Sequence, residues 1–108
     1  MALQLPKPIA TYFTADKADP QTFAQCFAED AIVKDEGHTY TGLAAIKRWR
    51  TEAQTKYIYT SEPFAATEKD GKTIITSRVT GNFPGSPIDL RYFFTLEDNK
   101  IASLEIIV

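Results

Sequence analysis

The chain holds one cysteine, one histidine and no real excess of either charge: twelve Lys and Arg stand against fourteen Asp and Glu, for a formal charge of −2. A lone Cys26 excludes an internal disulfide. With His38 as the only histidine, no Cys/His metal shell can be filled either. Without a basic run or basic excess, nucleic acid is not expected as a partner. No apolar stretch approaches the length needed to span a bilayer, so no membrane contact is expected. The first residues, Met-Ala-Leu-Gln-Leu-Pro-Lys-Pro, lack the basic and then apolar order of a signal peptide, and a cytoplasmic protein is expected. Five scattered glycines form no phosphate loop, and neither a G-x-S-x-G elbow nor an H-E-x-x-H pair occurs. No metal or cofactor is expected.

Aromatics, by contrast, are plentiful. Seven Phe, five Tyr and one Trp in 108 residues suit either a tight core or an aromatic-lined pocket. The length fits one domain, residues 1–108, with a single sizeable core. Pro8 suits a first helical turn, after which Ile9, Tyr12 and Phe13 share a face. Asp19-Pro20 reads as a cap and first turn of a second short helix, with Phe23, Cys26 and Phe27 on its buried side. Cys26 there acts as a small buried hydrophobe. Ala31 to Lys34 and His38 to Thr41 read as short strands around a Glu36-Gly37 turn. Thr41 can cap a third helix, whose apolar stripe is Leu43, Ile46, Trp49 and Ala53. Lys47, Arg48 and Arg50 on that helix read as its solvated face.

After Thr55 the period changes to that of strands. Tyr57 to Thr67, Lys72 to Gly81, Ile88 to Leu96 and Ile101 to Val108 are four strand-like runs. Asp70-Gly71 and Glu97-Asp98-Asn99-Lys100 mark hairpin turns, and the segment from Asn82 to Pro87, with two prolines, reads as a rim loop. Helices first and an antiparallel meander afterwards make an α+β fold. In the run from Ile88 to Leu96, Ile88, Leu90, Tyr92, Phe94 and Leu96 share one face. Asp89, Arg91, Phe93 and Thr95 share the other, mixed face, where Asp89 can pair with Arg91.

Asp35 is the residue best placed for chemistry. A carboxylate at a strand end near helix-borne aromatics can be desolvated toward the range of a general base. The same Asp35-Glu36-Gly37 also reads as a solvated turn. His38 is either a proton shuttle or an exposed histidine, and Trp49 either a core anchor or part of a pocket wall.

The pieces Phe27-Ala28-Glu29-Asp30-Ala31, Gly42-x-x-Ala45-Ile46-x-x-Trp49 and Ile101-Ala102-Ser103-Leu104-Glu105-Ile106 resemble the nuclear-transport-factor-two-like superfamily. Its SnoaL-like and ketosteroid-isomerase-like branch is the nearest in pattern. The resemblance implies a cystatin-like roll: a cone of curved, mostly antiparallel sheet packed on three N-terminal helices, enclosing one pocket. It also implies that Asp35, or Glu36 one position on, is a proton-transferring acid. Tyr12, or Thr11 beside it, would donate to an enolate oxygen. A protonated acid serves as second donor in ketosteroid isomerase, a known example of such tuning. Asp89 and Tyr92 both match its place, from opposite faces of the strand.

Two functions follow as expectations. One is a cofactor-independent isomerase, cyclase or dehydratase that uses Asp35 on a small apolar carbonyl compound. The other is a ligand-binding or assembly module of the same fold. The expected pocket is lined by Tyr12, Asp35 and Trp49, with Phe27, Tyr40, Tyr92, His38 and Asp89 around them. The mixed face and the dimeric members of the superfamily imply a homodimer through the outer face of the sheet.

Overall fold

Three hairpin turns organise the molecule, each taking two residues into the left-handed region that reverses a twisted strand pair. They are Glu36-Gly37 (φ 52° and 78°), Asp70-Gly71 (φ 54° and 76°) and Asp98-Asn99 (φ 51° and 62°). The structure, a computed structural model, describes residues 5–14, 23–56 and 58–108, with Gln54 described by its backbone alone. The elements are α1 (Lys7–Thr14), β1 (Phe27–Asp35), β2 (His38–Thr41), α2 (Leu43–Lys56), β3 (Tyr59–Lys69), β4 (Lys72–Gly81), β5 (Ile88–Glu97) and β6 (Lys100–Ile107). The strands form one sheet in the order β2-β1-β6-β5-β4-β3. Every neighbouring pair is antiparallel except β1 with β6, which is parallel. The fold is α+β with a mostly antiparallel sheet, as expected.

Helix α1 touches both β6 and β3. Those strands are three inter-strand steps apart, about 14 Å in a flat sheet, while eight helical residues span about 12 Å. Helix α1 therefore lies across the inner face of the sheet, reaching from β6 to β3. Buried side chains from both layers meet inside: Ile9 and Tyr12 of α1, Ile46 and Trp49 of α2, Ala31 and Val33 of β1, Ile75 of β4, Tyr92 and Phe94 of β5, and Ile101 and Leu104 of β6. Full burial of one such large side chain stabilises the fold by roughly 1.5–3 kcal/mol.

Three expectations change. The second helix, expected to run from Asp19-Pro20 to Phe27, lies mostly outside the described residues. Phe23 and Ala24 are helical, but Phe27 already belongs to β1. Pairing with β6 lengthens that strand: Phe27 lies opposite Ile101 and Ile32 opposite Ser103, with a bulge between. Glu29 and Asp30 thus sit exposed within the strand. At the start of α2, Gly42 takes the cap position expected of Thr41. The Ile46 N–H donates to the Gly42 carbonyl at 3.0 Å, and φ of Gly42 is 87°, a value that favours glycine. Cys26 is buried, its Sγ donating to the Phe23 carbonyl at 3.1 Å. Desolvation pushes its thiol up to about 12, away from the thiolate form that reacts.

Two residues shape the edge strand β3. Pro63 removes a donor from the edge strand β3 and sits at a register shift against β4. At the other end of β3, Gly81 lies so close that an added Cβ would meet the Ile58 carbonyl at 2.4 Å and the Tyr59 Cβ at 2.7 Å. Only glycine lets β4 and β3 approach there, and this places Tyr59.

Candidate active site: a two-ended cavity inside the cone

Strand alternation decides which way β1 delivers its last acid. Ala31 and Val33 are buried, and Asp35 follows on the same inner face. The Asp35 carboxyl lies half-buried at the wall of a cavity of about 400 Å³. The Trp49 Nε1–H donates to its Oδ2 at 3.0 Å. Desolvation by burial raises the Asp35 pKa above the ordinary carboxylate value, and the neighbouring Glu36 charge raises it further, while the Trp49 hydrogen bond pulls it down. Burial is the largest of these effects. The carboxyl thus holds a proton more readily than a surface aspartate does.

Around it the wall is largely aromatic and aliphatic. Tyr12 and Phe13 come from α1, Trp49 and Ala53 from α2, Ile88, Leu90 and Tyr92 from β5, and Phe83 and Pro84 from the loop after β4. Tyr12 is 5% exposed and packs at ring-centroid distances of 5.0 Å on Phe13 and 5.9 Å on Tyr92. The loop is fastened at both ends. The Asn82 side-chain Oδ1 accepts from the Ile58 N–H, and the Ser86 Oγ accepts from the Gly81 N–H.

The polar remainder of the wall was not anticipated. Arg50 is 3% exposed, although charge alone placed it on the solvated face of its helix. Its Nη1 donates to the Tyr59 hydroxyl at 2.9 Å, and its guanidinium lies over the Phe23 ring at 4.6 Å. Next to Tyr59 on the inner face of β3, Ser61 also lines the cavity, its hydroxyl 2.6 Å from that of the fully buried Ser77. The signal that would have found Arg50 is its spacing. It falls four residues after Ile46 and three before Ala53, on the apolar stripe itself. Tyr59 and Ser61 follow from period-two alternation along their strand.

The expected site residues divide as follows. Tyr12, Asp35, Trp49 and Tyr92 line the cavity together, as does Glu36, whereas Thr11 does not. Phe27, Tyr40, His38 and Asp89 do not line it. Phe27 is buried in the core behind, 6.2 Å from the Tyr12 ring. Tyr40 packs on the Trp49 ring at 6.1 Å from the far side, and His38 is exposed on β2. Asp89 faces solvent and pairs with Arg78 at 2.9 Å, not with Arg91. The reason is register: Arg78 lies directly opposite Asp89 across the strand pair. A directly opposite residue is closer than one two positions along the same strand. Of the two matches for a second oxyanion donor, Tyr92 faces the cavity and Asp89 does not.

The model of the SnoaL-like domain matches residues 10–104 of this chain. The chain belongs to the SnoaL-like domain family. A solved structure of a candidate polyketide cyclase from Sinorhizobium meliloti is 41% identical to this SnoaL-like domain. Each chain covers 95% of the other, with a TM-score of 0.91. A protein with a ketosteroid isomerase-like fold from Catenulispora acidiphila DSM 44928, solved in complex with trimethylamine, is similar at 18% identity. That likeness covers 97% of this chain and 87% of the other, with a TM-score of 0.83. A cystatin-fold protein from Novosphingobium aromaticivorans is similar at 18% identity, over 99% of this chain and 100% of the other, with a TM-score of 0.77. The last two likenesses show the fold alone. Among curated proteins, none matches the chain. No helix among the described residues is long and apolar enough to cross a membrane.

Proposed function

We propose that this SnoaL-like domain is a cofactor-independent enzyme that moves a proton on a small carbonyl compound held in the cone. The observation that carries the reading is the Asp35 carboxyl, desolvated at the wall of an aromatic cavity and oriented by Trp49. Asp35 takes the proton from the carbon next to the carbonyl, and the electron pair moves onto the carbonyl oxygen as an enolate. The Tyr12 hydroxyl donates to that oxygen, and Asp35 returns the proton at a second carbon or to a leaving group. The chemistry asks nothing of a metal or a bound cofactor. The candidate polyketide cyclase at 41% identity supports a polycyclic or aromatic carbonyl substrate for a cavity of this size.

Replacement of Asp35 by Asn tests the reading, because the amide keeps the shape but cannot accept the proton. Turnover should fall by about 10²–10⁴-fold, with ligand affinity little changed. Tyr12→Phe should cost about 10²-fold, as for one lost oxyanion donor. Full activity in Asp35→Asn would end the proposal. Tight binding of carbonyl compounds without any turnover would replace the enzyme with a binding module.

The same reading includes a homodimer through the outer face of the sheet. Ile32 (38% exposed) and Ile107 (37%) flank Phe93 there, apolar groups that a second copy would cover. Sedimentation at high concentration should show a dimer; a monomer would remove this part.

A further inference from the structure

Ser77 interrupts an apolar row. It is wholly buried on the inner face of β4, between Ile75 and Val79, and lies opposite Leu90 of β5 and Pro63 of β3. A hydroxyl among such neighbours is costly unless it finds a partner. Among the described residues its hydrogen-bond partner is the Ser61 hydroxyl, with the two oxygens 2.6 Å apart. Ser61 stands opposite Val79 on β3 and lines the cavity, which Ser77 does not.

The protons of this pair fix its direction. Each hydroxyl has one O–H to give and lone pairs to accept, and the contact uses a single O–H. Were Ser61 the donor, the Ser77 O–H would be left in an apolar wall without an acceptor, the expensive arrangement. Ser77 therefore donates and the Ser61 oxygen accepts. That leaves the Ser61 O–H for the cavity, and a hydroxyl that accepts one hydrogen bond is a better donor of the next. The proton transfer assigned to Asp35 and Tyr12 makes no use of it.

We infer that Ser61 is a specificity-determining donor, giving its O–H to a second, uncharged carbonyl oxygen of the ligand while Ser77 holds it from behind. The inference deepens the proposed function and rests on the cavity being its ligand site. A carbonyl oxygen suits the place because it accepts without bringing a donor of its own to a wall that Val79, Ile88 and Leu90 make apolar. In the sheet order, β6, β5 and β4 separate β1, which carries Asp35, from β3, which carries Ser61. The ligand therefore spans the cavity as a dicarbonyl compound, its reacting carbon toward Asp35 and its second oxygen toward Ser61.

Calorimetry at pH 7.5 with 6-acetyl-2-tetralone and 6-isopropenyl-2-tetralone reads this directly, since the second compound keeps the shape and puts a methylene in place of the second oxygen. The wild-type protein should bind the acetyl compound about 3–10-fold more tightly, the scale of one neutral hydrogen bond. Ser61→Ala should bind the two alike. Ser77→Ala should reduce the preference by about two-fold, because the Ser61 O–H loses the contact that polarises and orients it. Asp35→Asn should keep the preference. A merely structural Ser61 would weaken both ligands together and leave their ratio unmoved. Equal binding of the two by the wild-type protein, binding of neither, or a preference that survives Ser61→Ala would overturn the inference. Should Ser61→Ala fail to fold, the wild-type comparison and Ser77→Ala decide, and an unchanged preference in Ser77→Ala then overturns it. The titration reads binding and not turnover. It can therefore fail while Asp35→Asn still abolishes activity, and the proton-transfer reading can fail while the acetyl preference stands.

Discussion

The end of the cavity at β1 and the end at β3 share one helix and differ in almost everything else. Trp49 and Arg50 are neighbours on α2, yet Trp49 serves Asp35 and Arg50 serves Tyr59. At the β1 end a carboxyl is set among aromatic rings, with burial working against its charge. At the β3 end hydroxyls and a guanidinium bond to one another, with Ser77 fully buried behind them. The first arrangement desolvates a carboxyl; the second ties polar groups to one another and holds them in place.

The sharpest way to break the comparison is to damage one end through the backbone. Gly81→Ala pushes a methyl group into the Ile58 carbonyl and the Tyr59 Cβ. Destabilisation of about 1–3 kcal/mol is expected from such overpacking, measured by urea denaturation. Ligand binding in the cavity should weaken with it, while the pH dependence set by Asp35 stays. A shift in that pH dependence would mean that the ends are not independent.

Trp49→Phe acts on the other end. Loss of the N–H donor removes the interaction that holds the Asp35 pKa down, so that pKa rises. The low-pH limb of the rate profile should move to higher pH. An unmoved limb would show that the hydrogen bond does not tune the base.

Asp35→Asn has a smaller effect on stability, with a definite sign. The Asp35 pKa is raised in the folded state, so the folded protein binds more protons than the unfolded chain between the two pKa values. Stability therefore falls as pH rises through that window, and the ionised carboxyl is a cost above it. The Asn variant should melt higher than the wild type at pH 8, with the difference fading as pH drops below 4. A variant that melts lower at pH 8 would mean that the carboxylate is held by favourable contacts. The smallest effect is expected from Arg78→Ala. It removes an exposed ion pair with Asp89 on the outer side, and should leave both the melting temperature and ligand binding unchanged.

Much of this architecture is local and so could be read from the chain. Glu36-Gly37, Asp70-Gly71 and Asp98-Asn99 announce their hairpins because few residues tolerate positive φ. The alternation from Ile88 to Leu96 set Tyr92 and Asp89 on opposite faces without saying which face meets the cavity; the structure turns Tyr92 inward. The parallel pairing of β1 with β6 has no such signature, since it joins segments about seventy residues apart. It lengthened β1 and took Phe27 from the expected helix. The Arg78–Asp89 pair likewise depends on register between two strands, which their sequences do not state. Arg50 was hidden differently. Its charge argued for solvent more loudly than its spacing argued for the core, and the contacts that hold it, the Tyr59 hydroxyl and the Phe23 ring, lie far from it along the chain or in another element.

The central claim, that Asp35 moves a proton on a ligand in this cavity, is tested most directly by isotope exchange. A series of bicyclic ketones of the β-tetralone type is incubated in D₂O with the wild-type protein and with Asp35→Asn, and deuterium at the carbon next to the carbonyl is followed by NMR. The account predicts exchange well above the buffer rate with the wild-type protein, falling to near the buffer rate in Asp35→Asn. Equal exchange by the two proteins, or none above buffer from the wild type across the series, would contradict it.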